Sequence, residues 1–299
     1  MLICTRHAPV DMKSVSRAVY RVGLFLAFLM CGISLPTLSG LPVFPFSLIV
    51  SRGMDLIYRI DLSAIFLCSS IILYRSELFK KYWQVLFAFF VASFAINLQA
   101  SSALLDLPTT TMNGKVLAML SSTLSVFIPI IALTRISGGS MASIFLKKGK
   151  IKLGLVVGLI GFFVFAASSM YAATYLFQGR DLTLERVVSW TPWLLVIVMA
   201  NGLREEPLYR GLFLKKLEPL LGPNSSNLLQ ALIFSLSHTV AGVGAVQYTP
   251  FTAVFVLITF LLGLALGYVM QRTDSLIGPV LFHAGTDIPI FIAVFSNLP

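Results

Sequence analysis

The stretch Trp190-Thr-Pro-Trp-Leu-Leu-Val-Ile-Val-Met-Ala-Asn-Gly-Leu-Arg-Glu-Glu-Pro-Leu-Tyr-Arg-Gly-Leu-Phe213 joins an apolar run to four charged side chains. Glu205 precedes Lys215, the first lysine after this run, by ten residues. If the run is a membrane helix, Glu205 lies roughly 15 Å from that end. An ionisable group at such depth costs on the order of 3 kcal/mol, so two adjacent glutamates need partners. The stretch therefore predicts a transmembrane helix with a buried polar site.

The spacing within this stretch separates the two glutamates. Arg210 follows Glu206 by four residues, which places both on one helix face and favours an ion pair. Glu205 points ~100° away from Glu206 and is left for another partner. A purely structural alternative stays open, in which both glutamates are ion-paired within the helix and Arg204 is the second cation.

The composition of the whole chain requires lipid as its solvent. Of the 299 residues, 57% are hydrophobic and 11% are charged, whereas a soluble domain has about 45–50% apolar and about 25% charged residues. Only helices and closed barrels satisfy their backbone in lipid, and no period-2 alternation appears. We therefore predict an all-α, polytopic transmembrane helical bundle with eight or nine spans, and an active-site cavity within its last four helices.

Nine apolar runs are long enough to cross a bilayer. They cover residues 22–38, 56–74, 83–105, 116–133, 153–177, 188–214, 227–246, 251–270 and 277–295. Polar groups within spans are concentrated in the last third. We therefore divide the chain into residues 1–185, N-terminal helices of unassigned role, and residues 186–299, a catalytic transmembrane domain.

The net charge of +10 reflects topology rather than a nucleic-acid partner. With the N-terminus in the cytoplasm, the N-terminal segment and loops 75–81, 135–152, 215–218 and 272–274 hold 15 Lys and Arg residues, against five in the outside loops. Such a bias indicates an N-inside, C-outside protein. No organelle signal is visible, and we expect a bacterial cytoplasmic membrane.

Two of the three histidines lie in the last apolar runs. His238 ends Phe234-Ser-Leu-Ser-His238, and His283 precedes Asp287 by four residues on one helix face. Counted from the same, cytoplasmic side, both lie within about 9–16 Å of the membrane surface, the layer of Glu205. The third, His7, lies in the polar N-terminal segment and is expected to be solvated. The sequence therefore predicts a single site that contains Glu205, His238 and His283.

A carboxylate and an imidazole in a dry cavity are suited to activating water, with the carboxylate as general base. A second histidine with an acidic partner could stabilise an oxyanion or complete a metal site. Two histidines and a carboxylate match a zinc ligand set, although H-E-x-x-H is absent. The residues leave open whether Glu205, His238 and His283 hold zinc or another divalent metal, or work without one.

Three motifs in succession, Glu205-Glu206-x-x-x-Arg210, Phe234-x-x-x-His238 and His283-x-x-x-Asp287, are similar to those of a known family. They resemble the CPBP (Abi) intramembrane proteases, which include the CAAX prenyl endoproteases and bacteriocin-processing or immunity proteins. Residues 266–283, which lead into the last motif, also resemble this family. The resemblance covers residues 191–295.

The resemblance implies an intramembrane endopeptidase that cuts a peptide or protein substrate near the cytoplasmic face. Glu205 would activate water with His238, His283 and Asp287 would stabilise the oxyanion, and Glu206 and Arg210 would be structural. Family members often have Asn where this chain has Asp287. An ionised Asp cannot donate a hydrogen bond, so Asp287 would instead orient His283 or be protonated.

Two rival functions remain at this level. One is a non-catalytic membrane scaffold or bacteriocin immunity protein of the same fold. The other is a transporter with an ionisable midplane site, against which the absence of paired inverted repeats argues.

Overall fold

The computed structural model describes residues 12–37, 52–101, 105–245 and 250–299, and the side chains of all but the first or last few residues of α1, α2, α9 and α10. Within these ranges the chain is helical and contains no strand. His7 and the predicted end of the seventh span at Val246 lie outside the described residues. The α-helices are α1 (Met12–Thr37), α2 (Arg52–Arg75), α3 (Trp83–Ser101), α4 (Met112–Ile136), α5 (Ile151–Tyr175), α6 (Leu184–Ser189), α7 (Thr191–Glu206), α8 (Lys215–Leu221), α9 (Pro223–Ala245), α10 (Pro250–Thr273) and α11 (Ile277–Ser296).

The predicted polytopic helical bundle is confirmed. In the described residues, seven helices are long and apolar enough to cross a membrane. They correspond to the first five and last two predicted spans, and their outer faces are apolar, as on α5, where Ile160, Phe163 and Val164 are exposed. The sixth and seventh predicted spans are also helical but do not meet the same criterion. The sixth predicted span carries Glu205, and its α-helix α7 ends after 16 residues; the seventh carries His238 on α9.

The polar helices lie at the centre of the C-terminal bundle. Helix α7 packs between α4 and α11, helix α11 packs most extensively on α5, and α9 packs on α10 and α1. Glycines allow the close approach of α5 and α11: a Cβ atom on Gly158 would lie 2.8 Å from the Gly278 carbonyl oxygen. The N-terminal helices therefore contact the polar helices directly, across the predicted division at residue 185.

The helix that carries the two glutamates changes its hydrogen-bonding pattern directly after them. Residues Pro207–Leu214 form a π-helical segment between α7 and α8, and all eight are buried. Pro207 has no backbone N–H and cannot continue the regular ladder of α7, and π-helical turns accommodate such interruptions. Tyr209 and Arg210 lie within this segment, directly after Glu205 and Glu206.

The loops predicted to share one membrane side lie at one end of the bundle. Lys147 forms an ion pair with Asp274, and the Lys150 backbone N–H donates to the Thr273 carbonyl oxygen at 2.7 Å. Lys215 lies over the Phe145 ring. At the opposite end, the Arg180 N–H donates to the Ser296 hydroxyl at 2.9 Å. These contacts agree with the relative sidedness of the predicted loops.

Candidate active site

The structure brings together the four residues predicted to carry out catalysis. Glu205 Oε2 lies 3.5 Å from His238 Nε2 and 3.7 Å from His283 Nε2. His283 Nε2 in turn lies 3.7 Å from Asp287 Oδ1. Glu205, His283 and Asp287 are buried, and His238 is partly buried. Three helices, α7, α9 and α11, therefore present their ionisable groups to one point.

Glu206 joins the predicted ion pair with Arg210 to the catalytic residues. Its Oε1 atom accepts a hydrogen bond from Arg210 Nη1 at 2.9 Å, and neither side chain is exposed. The same oxygen lies 2.7 Å from His283 Nδ1. The Arg210 guanidinium also stacks over the Phe234 ring, 4.2 Å from its centroid. The four-residue spacing predicted the first contact, but the contact with His283 depends on how α7 and α11 pack.

Both site histidines have their ring orientation set by an acceptor on Nδ1. His238 Nδ1 lies 2.8 Å from the Phe234 carbonyl oxygen, one turn earlier on α9. His283 Nδ1 faces the Glu206 carboxylate. A carbonyl or carboxylate oxygen can only accept, so Nδ1 carries the proton in each ring. Nε2 of both rings is thereby directed at Glu205.

The two oxygens of Glu205 have different surroundings. Oε1 accepts from Arg204 Nη2 at 2.6 Å, which is the pairing that the structural alternative assigned to Arg204. Oε2 is buried and has no hydrogen-bond partner within the described residues, although both imidazole Nε2 atoms lie just beyond hydrogen-bond distance. One oxygen is therefore anchored, and the other is directed at the two histidines.

Sequence reasoning missed two neighbours of the site. The Asn201 side chain donates to Asp287 Oδ2 at 2.7 Å, and Arg204 Nη1 donates to the Ser122 hydroxyl of α4 at 3.1 Å. Asn201 could have been found, because it is a polar residue one turn before Glu205 in an apolar run. Ser122 has no comparable signal, since a serine in a membrane helix commonly bonds within its own helix.

The predicted metal ligands Glu205, His238 and His283 offer the donor types that zinc takes, two imidazole nitrogens and a carboxylate oxygen. The Nδ1 contacts of His238 and His283 also resemble the hydrogen bonds that metal-bound histidines make to outer partners. Across the described parts of the chain, however, no three His, Cys, Asp or Glu side chains form a group that could hold a metal ion. The metal remains a prediction from the sequence.

One comparison with known proteins yields a match in this region. Residues 187–289 match the family model described as Rce1-like, type II CAAX prenyl endopeptidase. All four predicted catalytic residues, together with Glu206 and Arg210, lie within the matched segment. No curated protein and no solved structure matches the chain. The last third of the chain is therefore similar to the Rce1-like family of type II CAAX prenyl endopeptidases, which agrees with the resemblance carried by the three sequence motifs.

Proposed function

We propose that this protein is an intramembrane endopeptidase that uses Glu205 to activate a water molecule against a peptide carbonyl. The observation that carries the proposal is the convergence of Glu205 Oε2 with Nε2 of both His238 and His283, at 3.5 and 3.7 Å. A carboxylate oxygen buried beside two imidazoles suits general-base chemistry. The family of the matched segment supports peptide hydrolysis as the reaction class.

Water activation requires an acceptor for each water proton. Glu205 Oε2 accepts one proton, and the unprotonated Nε2 of a neutral His238 accepts a hydrogen bond from the other. The water lone pair is then free to attack the peptide carbon, and the transferred proton passes to Glu205. When the C–N bond breaks, Glu205 returns this proton to the amine leaving group, so that acid and base roles alternate on one residue.

His283 is positioned to stabilise the charge that develops on the carbonyl oxygen. As an imidazolium it donates Nδ1–H to Glu206 and presents Nε2–H to the oxyanion. The Glu206 and Asp287 carboxylates on either side of the ring stabilise the positive charge. Oriented donors in a site that excludes water are a large contribution to such reactions.

Asp287 orients His283 in this proposal rather than donating to the oxyanion. Its Oδ2 accepts a hydrogen bond from Asn201. Its Oδ1 faces His283 Nε2 and carries negative charge beside the imidazolium. An ionised carboxylate has no proton to donate. This arrangement corresponds to the first of the two roles that the sequence left open for Asp287.

The substrate we propose is a membrane-associated peptide or protein, cut near the cytoplasmic face of a bacterial inner membrane. Glu205 lies about three helical turns from Lys215, and the excess of Lys and Arg at that end of the bundle supports a cytoplasmic orientation. The lipid bilayer is the second partner, and no nucleic acid is involved.

The proposal is tested with purified protein in liposomes and a fluorogenic peptide that ends in a farnesylated CAAX box. We expect the wild type to hydrolyse this peptide. Glu205→Gln keeps the size of the side chain but removes the base, and turnover should fall by about 10²-fold or more. Glu185→Gln, an exposed glutamate outside the site, is the matched control and should keep wild-type turnover.

Two results would contradict the proposal. One is equal turnover by Glu205→Gln and wild type. The other is no hydrolysis by the wild type of either the farnesylated peptide or a randomised lipid-anchored peptide library, which would favour the scaffold or immunity function.

A further inference from the structure

We infer that Arg204, held by Ser122 of α4, is a positioning residue that fixes the orientation of the Glu205 carboxylate. The expected effect on kcat rests on the proposed function. The contacts of Arg204 with Ser122 and Glu205 do not depend on it. It also gives a role in the active site to an N-terminal helix that lies outside the matched segment 187–289.

The contact between Arg204 and Glu205 is not one that a helix forms by itself. Adjacent residues on a helix point ~100° apart, and stable side-chain pairs are three or four residues apart. Arg204 Nη2 nevertheless lies 2.6 Å from Glu205 Oε1, with side-chain exposures of 19% and 9%. The guanidinium must therefore bend along the helix surface, and something outside α7 has to hold it there.

Ser122 supplies that external anchor. Its hydroxyl accepts from Arg204 Nη1 at 3.1 Å, and Ser122 is buried on the α4 face that packs on α7. The next residue, Thr123, donates to the Ala200 carbonyl oxygen of α7 at 2.9 Å, which fixes the two helices in register. The planar guanidinium uses one Nη for Ser122 and the other for Glu205, a geometry that a lysine cannot reproduce.

The consequence for Glu205 is that its two oxygens are no longer equivalent. With Oε1 held by Arg204, rotation of the carboxylate is blocked and Oε2 is directed at His238 and His283. Without Arg204, the carboxylate could rotate part of a turn or move, so that neither oxygen would face the two histidines. A misplacement of about 1 Å in a reacting group can cost 10²-fold in rate.

The test uses two readouts on Arg204→Ala, Arg204→Lys, Ser122→Ala and Ser125→Ala. Ser125 is the matched control, because it is on the same helix and its hydroxyl donates within α4 to the Ser121 carbonyl oxygen. The first readout is the side-chain 15N NMR spectrum of histidine-labelled protein, which has only three histidines to resolve. We expect Arg204→Ala and Ser122→Ala to shift the Nε2 resonances of His238 and His283 but not those of His7. Ser125→Ala should leave all three in place.

The second readout is peptide hydrolysis in liposomes. Arg204→Ala should lower kcat by about 10²-fold with little change in KM, since orientation of the base acts on the chemical step. Ser122→Ala should lower kcat by about three- to tenfold through loss of one hydrogen bond to a charged group. Arg204→Lys should fall between the wild type and Arg204→Ala.

Folded Arg204→Ala protein with unchanged His238 and His283 resonances would overturn the inference, whether or not the protein hydrolyses the peptide. Wild-type kcat and wild-type resonances in Arg204→Lys would also overturn it, because they would leave only a counter-charge role. If the wild type lacks hydrolytic activity, the proposed function fails, and the NMR readout alone decides the inference.

Discussion

At the scale of single residues, Arg210 is the largest of the fully buried side chains among the residues that the structure describes. Its side chain is fully buried, and among the described residues only Nη1 has a hydrogen-bond partner, Glu206, whereas Nε and Nη2 have none. The Phe234 ring covers one face of the guanidinium. A buried ion pair contributes little compared with an apolar pair, but removal of one member leaves an uncompensated charge.

We therefore expect Arg210→Met to destabilise the protein by about 3 kcal/mol, because the buried Glu206 carboxylate would lose its arginine partner and keep only the contact with His283 Nδ1. The measurement is reversible unfolding in mixed micelles followed by circular dichroism. Arg272→Met, the same change at an exposed arginine, should shift stability by no more than about 0.5 kcal/mol. Equal stabilities of the two variants would show that the Glu206–Arg210 pair does not hold the site together.

At the scale of elements, the site depends on how closely α11 approaches α5. Gly285 lies on α11 between His283 and Asp287, and a Cβ atom built on it would meet the Phe162 carbonyl oxygen at 3.0 Å and the Phe162 Cα atom closer still. Because these neighbours are backbone atoms of α5, they cannot move aside as a flexible side chain would. Any added volume must displace α11 and, with it, two of the site residues.

Gly285→Ala should consequently destabilise the protein by about 1–3 kcal/mol and lower peptide hydrolysis by at least about tenfold through displacement of His283 and Asp287. Gly23→Ala on α1, where an added Cβ meets nothing within 4 Å, is the control. It should be neutral or stabilising by about 0.5–1 kcal/mol, the usual gain of alanine over glycine in a helix. If the two variants behave alike, close packing of α5 and α11 is not required.

At the scale of the whole molecule, the loop contacts show which loops share one end of the bundle, and the charge bias predicts which side of the membrane that end faces. The contacts of Lys147 with Asp274 and of Lys150 with Thr273 place two lysine- and arginine-bearing loops at one end of the bundle. The excess of Lys and Arg at this end predicts the cytoplasmic side.

This orientation is checked by cysteine labelling in a variant whose native cysteines are replaced (Cys4→Ser, Cys31→Ser and Cys68→Ser). A membrane-impermeant maleimide added to intact cells should label Glu185→Cys, at the outer end, and should label Lys148→Cys only after permeabilisation. Both positions are exposed, so both should react once the membrane is opened. The reverse pattern would invert the topology and place the site near the outer face.

The sequence by itself determined the helical membrane fold, the identity of the polar helices and the Glu206–Arg210 pair. These features depend on composition, on apolar run length and on the four-residue period of a helix, which are local properties of the chain. The common depth of Glu205, His238 and His283 could also be counted along the sequence, because the rise per residue of a helix is constant.

Only the tertiary structure decided which atoms meet. The contact of Glu206 with His283, the hydrogen bond from Asn201 to Asp287 and the anchoring of Arg204 by Ser122 join helices that are far apart in the sequence. Helical periodicity gives the face of each residue on its own helix, but the rotation and separation of neighbouring helices come from packing, such as the glycine contacts of α5 and α11. The identity of the four predicted catalytic residues was therefore accessible from one sequence, whereas the different surroundings of the two Glu205 carboxylate oxygens were not.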